Sequence, residues 1–149
     1  MANLTDLEKM VRELHAIEAI KRLKARYWRC LDRKLWTDME EVFAEDATAD
    51  YGPKYQLQGR EAILQFLKEN LGPDSVSTGH GGHTPEIEIT GDTTARGIWA
   101  LNNYMVREPG TRIMEWGHYE DEYVKQGGQW RIKSTRIANI IEELTITKQ

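Results

Sequence analysis

Cysteine is nearly missing from this chain. Cys30 stands alone among 149 residues, so no intramolecular disulfide can form and no cysteine-based zinc site can be built. No long hydrophobic run exists either: nothing approaches the roughly 20 consecutive apolar residues that a membrane span requires. Met1 to Thr5 leads straight into a charged amphipathic segment without an apolar stretch of signal-peptide length. The expectation from these features is a soluble, cytoplasmic protein. Neither sign of charge dominates, with 20 basic against 24 acidic residues and a net charge of −4. That balance argues against general nucleic-acid or anionic-membrane binding, which calls for a basic face. Internal repeats, low-complexity stretches and linkers are absent too.

The length fits one domain, residues 1–149. Such a domain buries roughly 70% of the surface its unfolded chain exposes, enough for a core that keeps a cavity. Five Trp, six Tyr and two Phe supply bulky walls. The first third reads as helix. Thr5 and Glu8 have capping-box spacing, and Met10, Leu14, Ile17, Ile20, Leu23, Tyr27 and Leu31 recur every three or four residues over about 6–31. Thr37 and Glu40 suggest a second box opening a short helix. Ala47 to Tyr51 reads as a strand, and Arg60 to Leu71 as a helix ended by Gly72-Pro73. Pro85–Ile89, Thr93–Arg107, Ile113–Lys125 and Gln129–Ile141 then read as strands, separated by Thr90-Gly91-Asp92, Pro109-Gly110 and Gly127-Gly128. Helices followed by a meander of long strands predict an α+β domain with helices on one face of an antiparallel sheet. Strands this long curl, and a curled sheet capped by helices encloses a pocket.

Three segments carry candidate chemistry. Thr78-Gly79-His80-Gly81-Gly82-His83-Thr84-Pro85 places two of the four histidines in a glycine-rich stretch leading into a strand. It reads as a surface loop or as histidine acid/base chemistry near neutral pH; a metal site lacks a third ligand at a matching spacing, and a phosphate cradle lacks its Gly-Lys-Ser/Thr and helix. In Arg26 to Asp32, Tyr27 continues the apolar stripe as a core tyrosine would. Asp32 opposes the helix macrodipole and is either neutralised by Arg33 and Lys34 or held for a purpose. Tyr27 and Asp32, five residues apart, converge only if the helix ends or bends by about residue 31. In the third segment, alternation puts Ala95, Gly97, Trp99, Leu101, Asn103 and Met105 on one strand face. Asn103 is then a lone amide that needs hydrogen-bond partners, whether at a sheet edge or in a pocket.

Taken together, Ile17 to Tyr27, Cys30-Leu31-Asp32, Lys34 and Trp36, Gly59 to Ile63, His80 to Ile87, Thr94 to Trp99, Tyr119, Asp121, Tyr123 and Gly128-Gln129-Trp130 resemble SnoaL-like proteins of the nuclear transport factor 2-like superfamily. Within it the chain is most similar to the scytalone dehydratase and bile-acid dehydratase branch, the bile-acid enzyme nearer. The resemblance implies a cone-shaped, cystatin-like α+β barrel with three N-terminal helices on a strongly curved sheet. It also implies a cofactor-independent hydro-lyase acting on a cyclic hydroxy ketone, with other enzyme activities and non-catalytic binding modules also found on this fold. Tyr27, Asp32 and His83 occupy its catalytic positions, with Asp32 orienting His83. Tyr51 matches a pocket tyrosine, and His80, Trp99, Asn103 and Asn139 are placed as substrate contacts. Asn103 and Asn139 replace an acidic residue and an arginine of the bile-acid pattern. No metal is expected; the expected partners are a hydrophobic small-molecule substrate and further copies of the chain, a trimer favoured over a dimer.

Overall fold

The computed structural model describes residues 3–107 and 110–147, the side chain of Asn139 excepted. Its first element, α1 (Leu4–Asp32), is a single long helix. The capping box lies two residues earlier than Thr5 and Glu8 suggest. The Asn3 side chain accepts from the Asp6 N–H at 2.9 Å, and the Asp6 carboxylate accepts from the Asn3 N–H at 3.2 Å. Burial begins only at Ile20 and continues through Leu23, Lys24, Tyr27, Trp28, Cys30 and Leu31. Met10 and Leu14 of the expected stripe are exposed, together with Leu4, Leu7 and Val11: the helix outruns the sheet it packs on. The short α2 (Trp36–Glu40) starts at Leu35 without a side-chain cap, so the expected Thr37 box does not form.

After α2 come β1 (Phe43–Asp50), β2 (Gln56–Gln58), α3 (Arg60–Leu71), β3 (Val76–Gly91), β4 (Thr94–Arg107), β5 (Thr111–Gln126) and β6 (Gln129–Ile146). α3 has the expected bounds, because Ile63, Leu64, Leu67 and Leu71 give it one buried side. β1 starts four residues before Ala47, since Phe43 and Ala44 are themselves buried. β2, which the sequence does not announce, pairs with β1. Gly127 and Gly128 both have positive φ, 57° and 80°, as the two-residue turn between β5 and β6 requires. Pro109 of the expected turn lies outside the described residues.

The six strands form one sheet in the order β2-β1-β6-β5-β4-β3. Pairing is antiparallel except between β1 and β6, which run parallel because the α3–β5 segment intervenes. The inner face carries Ala95, Gly97, Trp99, Leu101 and Asn103 of β4, all buried as the alternation predicts. Opposite them are Tyr119, Asp121 and Tyr123 of β5. The long helix lies across this face of the curved sheet, giving the cone-shaped α+β architecture with one core. No helix among the described residues is long and apolar enough to cross a membrane.

Candidate active site

The glycine-rich stretch proves to be the interior of β3, paired residue by residue with β4 from Val76 to His83. Strand alternation therefore separates the two histidines. His80 stands opposite Asn103 on the inner face, whereas His83 stands opposite Ala100 and is exposed on the outer face. Just beyond, His83 pairs with Ala100 and Glu86 with Ile98, so β3 holds an extra residue; Thr84 is left-handed there, with φ 44°. Three residues apart in a continuous strand cannot mean the same face. This corrects the expectation for His83.

At Gly82 the lack of a side chain serves the packing. A Cβ there would lie 2.0 Å from Cζ2 of Trp28, so the indole occupies the volume a side chain would fill. Trp28 meets Trp99 edge-on at 5.3 Å between ring centroids. It thereby pins the end of α1 onto β3 and brings Asp32 to the strand's inner face.

Asp32 does not pair with His83. Its carboxylate accepts from His80 Nδ1 at 2.7 Å, from the His80 backbone N–H at 3.1 Å and from the Thr78 hydroxyl at 2.8 Å. These donors, rather than Arg33 and Lys34, compensate an acid at a helix C-terminus; Lys34 Nζ instead bonds the Pro73 carbonyl. The imidazole side chain is 7% exposed and the carboxylate side chain 26%. With Nδ1–H donating to Asp32, Nε2 carries the lone pair. It makes no hydrogen bond among the described residues.

Tyr27 lies about 7.5 Å back along the unbent helix and about 140° around it, and takes different partners from Asp32. Its hydroxyl shares a 3.3 Å hydrogen bond with that of Tyr51, whose ring stacks on Phe66. The Tyr27 ring packs edge-on against Phe43 and Tyr119. Burial, with lesser contributions led by Tyr51, holds the Tyr27 hydroxyl well above its ordinary pKa, so it remains a donor. Burial also raises Tyr51, Tyr119 and Tyr123.

Trp99 is buried in the core, and its N–H donates to the Tyr123 hydroxyl at 2.9 Å. That hydroxyl donates to Asp121, which also accepts from Thr135. Lys24, wholly buried, places Nζ 2.8 Å from Asp121, an ion pair outside hydrogen-bond angles. The same ammonium lies over the Tyr119, Tyr27 and Trp28 rings at 4.1, 4.7 and 5.1 Å. Burial lowers the Lys24 pKa, and Asp121 opposes that shift. This charged network under the aromatic floor was missed in the sequence, although the alternation of Tyr119, Asp121 and Tyr123 signals a polar group on an inner face.

Asn103 is 7% exposed and donates Nδ2–H to Glu115 Oε2 at 3.2 Å. Tyr119 approaches Asn103 and Trp28 closely enough for both to ease its raised pKa, but neither contact is aligned as a hydrogen bond. Asn103 Oδ1 and Trp28 Nε1 accordingly lack partners among the described residues. Asn139 is in β6, but its side chain lies outside the described residues. No group of three metal-ligating side chains occurs among the described residues. A surface hollow of about 1000 Å³ lies elsewhere: it is rimmed by Glu86, Arg96, Glu120, Glu122 and Arg136, and it includes neither His80 nor Asp32. Charged side chains of the outer face make up half of its lining, and no imidazole–carboxylate pair like His80 and Asp32 is among them.

The chain has relatives among known proteins in sequence and in fold. It is 27% identical over 115 residues to an uncharacterized protein of Mycobacterium tuberculosis, spanning 76% of this chain and 78% of that one. A solved candidate scytalone dehydratase from Novosphingobium aromaticivorans superposes with a TM-score of 0.82 at 24% identity, covering 90% of each chain. A hexachlorocyclohexane dehydrochlorinase from Novosphingobium barchaimii superposes with a TM-score of 0.77 at 17% identity, covering 89% of this chain and 93% of that one. These superpositions establish a shared fold. The SnoaL-like domain model matches residues 12–136, and this chain, with its long helix laid over a curved sheet, is a member of that nuclear transport factor 2-like family.

Proposed function

We propose that the protein is a cofactor-independent lyase that eliminates water from a cyclic hydroxy ketone, steroid or polyketide-like, with His80 in place of His83 as its base. The observation that carries this reading is the 2.7 Å contact between His80 Nδ1 and Asp32. Such a carboxylate fixes the tautomer with Nε2 free and stabilises the imidazolium once Nε2 has taken a proton. Nε2 removes a C–H proton made acidic by the carbonyl. The C–H electrons form the new C=C bond as the C–O bond breaks, and the departing hydroxide leaves as water with a proton returned from the imidazolium. Tyr27, backed by Tyr51, donates a hydrogen bond to the carbonyl. The candidate dehydratase and the dehydrochlorinase among the structural relatives, both named for eliminations, support the reaction class.

The test is incubation with a panel of hydroxy ketones, including 7-hydroxy-3-oxo-4-ene steroids, with mass spectrometry following loss of water. A proton-transfer group contributes on the order of 10²–10⁴ in rate, so His80→Ala loses about that much while staying folded. Silence of the wild type across the panel, or an undiminished His80→Ala variant, refutes the reading.

The same reading includes a homo-oligomer, a trimer favoured over a dimer. It is supported by the exposed apolar residues Leu4, Leu7, Met10, Val11 and Leu14 of α1. Light scattering that returns a single 17.3 kDa chain rejects it.

A further inference from the structure

The inner face carries a continuous polar row where the helical layer stops. His80 pairs with Asn103, Asn103 with Glu115, and Glu115 with Glu142, one residue from each of β3, β4, β5 and β6. Beyond this row the inner-face residues Ile113 and Leu144 are half-exposed and exposed, so no helix covers them. The row therefore opens to solvent, with the base at one end and two carboxylates at the other.

Two features of the row are costly without an occupant. Glu115 and Glu142 are like charges directly opposite on neighbouring strands, an arrangement that destabilises a sheet. Asn103, more than nine-tenths buried, gives its N–H to Glu115, and its Oδ1 has no hydrogen-bond partner among the described residues. A buried acceptor left without a donor is rare in a finished structure. Both are relieved by one kind of group, a hydrogen-bond donor.

We propose that Glu115, with Asn103 beside it, recognises a donating hydroxyl on an uncharged substrate, at the end of the site remote from His80. Glu115 lies two strand spacings from His80, about 10 Å, which suits a fused-ring molecule with polar substituents at both ends. The two carboxylates repel a substrate carrying a carboxylate there. This deepens the dehydratase reading and rests on it for the position of the reacting carbon.

Calorimetric binding of 2-naphthol, 2-methoxynaphthalene and 2-naphthoate to the full chain tests the proposal. A site built around a hydroxyl rejects the analogue that lacks it. Naphthol is expected to bind about ten- to hundredfold tighter than its methyl ether, as a hydrogen bond to a charged acceptor implies, and naphthoate more weakly still. Glu115→Leu brings the naphthol-to-ether ratio to about one, whereas Glu115→Gln retains part of it and admits naphthoate. His80→Ala keeps the wild-type preference although it loses turnover, so failure of the catalytic reading is separable from failure of this one. Equal affinities in the wild type, no binding of any probe, or a preference that survives in Glu115→Leu overturns the proposal.

Discussion

Asp32→Asn is the substitution that probes the candidate site most sharply, because it alters charge and proton placement with almost no change in shape. Asp32 Oδ1 accepts from both the Thr78 hydroxyl and His80 Nδ1, while the His80 backbone N–H is shared between Oδ1 and Oδ2. An asparagine has only one oxygen to offer. With that oxygen toward Nδ1, its amino group meets the backbone N–H, donor against donor. With the amide flipped, the amino group meets Nδ1, drives the imidazole proton to Nε2 and abolishes the base. In either orientation the negative charge that would stabilise the imidazolium is gone. The expected loss in kcat is about 10³–10⁴, as for the analogous aspartate of a hydrolytic triad, and kcat/KM falls with it because the interaction belongs to the transition state. The stability cost is about 1 kcal/mol, since the carboxylate is partly solvated and one of its hydrogen bonds can persist. The assay is water loss from whichever hydroxy ketone the wild type accepts, alongside thermal unfolding and near-ultraviolet circular dichroism. His83→Ala, on the outer face, serves as control and retains full activity. A rate within about threefold of wild type for Asp32→Asn refutes the reasoning, since about 0.7 kcal/mol is too little for a lost charge. So does a His83→Ala variant that fails while His80→Ala works.

Gly82→Ala should lower stability by about 2–3 kcal/mol, the cost of forcing a methyl into a packed core against the Trp28 indole; thermal melting checks it, with a drop of about 5–10 °C expected. Lys24→Met and Asp121→Asn should each cost about 3–5 kcal/mol by stranding a buried charge or its partners, while the double variant should cost less than the sum; denaturant titration of the four proteins provides the cycle. Tyr27, Tyr51, Tyr119 and Tyr123 all have folded-state pKa values raised above about 10 by burial. Their protonated forms favour the folded state, so that contribution is intact below pH 10 and lost as the pH rises above it, at up to about 1.4 kcal/mol per pH unit for each tyrosine. Their ionisation, followed at 295 nm in alkali, should therefore coincide with loss of near-ultraviolet dichroism. Ionisation of all four in a folded protein would contradict the burial.

Much of the architecture was legible because it is local. The three- and four-residue spacing from Ile17 to Leu31 and from Ile63 to Leu71 requires helices with one buried side, and both exist. Alternation from Ala95 to Asn103 placed the Asn103 amide on the inner face. The chemistry of Gly127-Gly128 marked a turn that needs positive φ at both residues. The resemblance named Tyr27, Tyr51 and Asp32 as candidate site residues; the structure places Tyr27 beside Tyr51 and Asp32 beside β3.

What the sequence could not decide was which histidine Asp32 meets. The stretch from Thr78 to Pro85 is too rich in glycine and histidine to announce a strand, and Gly82 leaves its place on the inner face to the Trp28 indole, 54 positions away in the chain. Only pairing with β4 makes it a strand, and only that pairing puts His80 inward and His83 outward. Composition and spacing thus determined the fold class, and the family resemblance singled out the candidate site residues. The long-range packing of α1 on β3 decided which imidazole receives the carboxylate, because a strand's two faces are assigned by register and not by sequence distance.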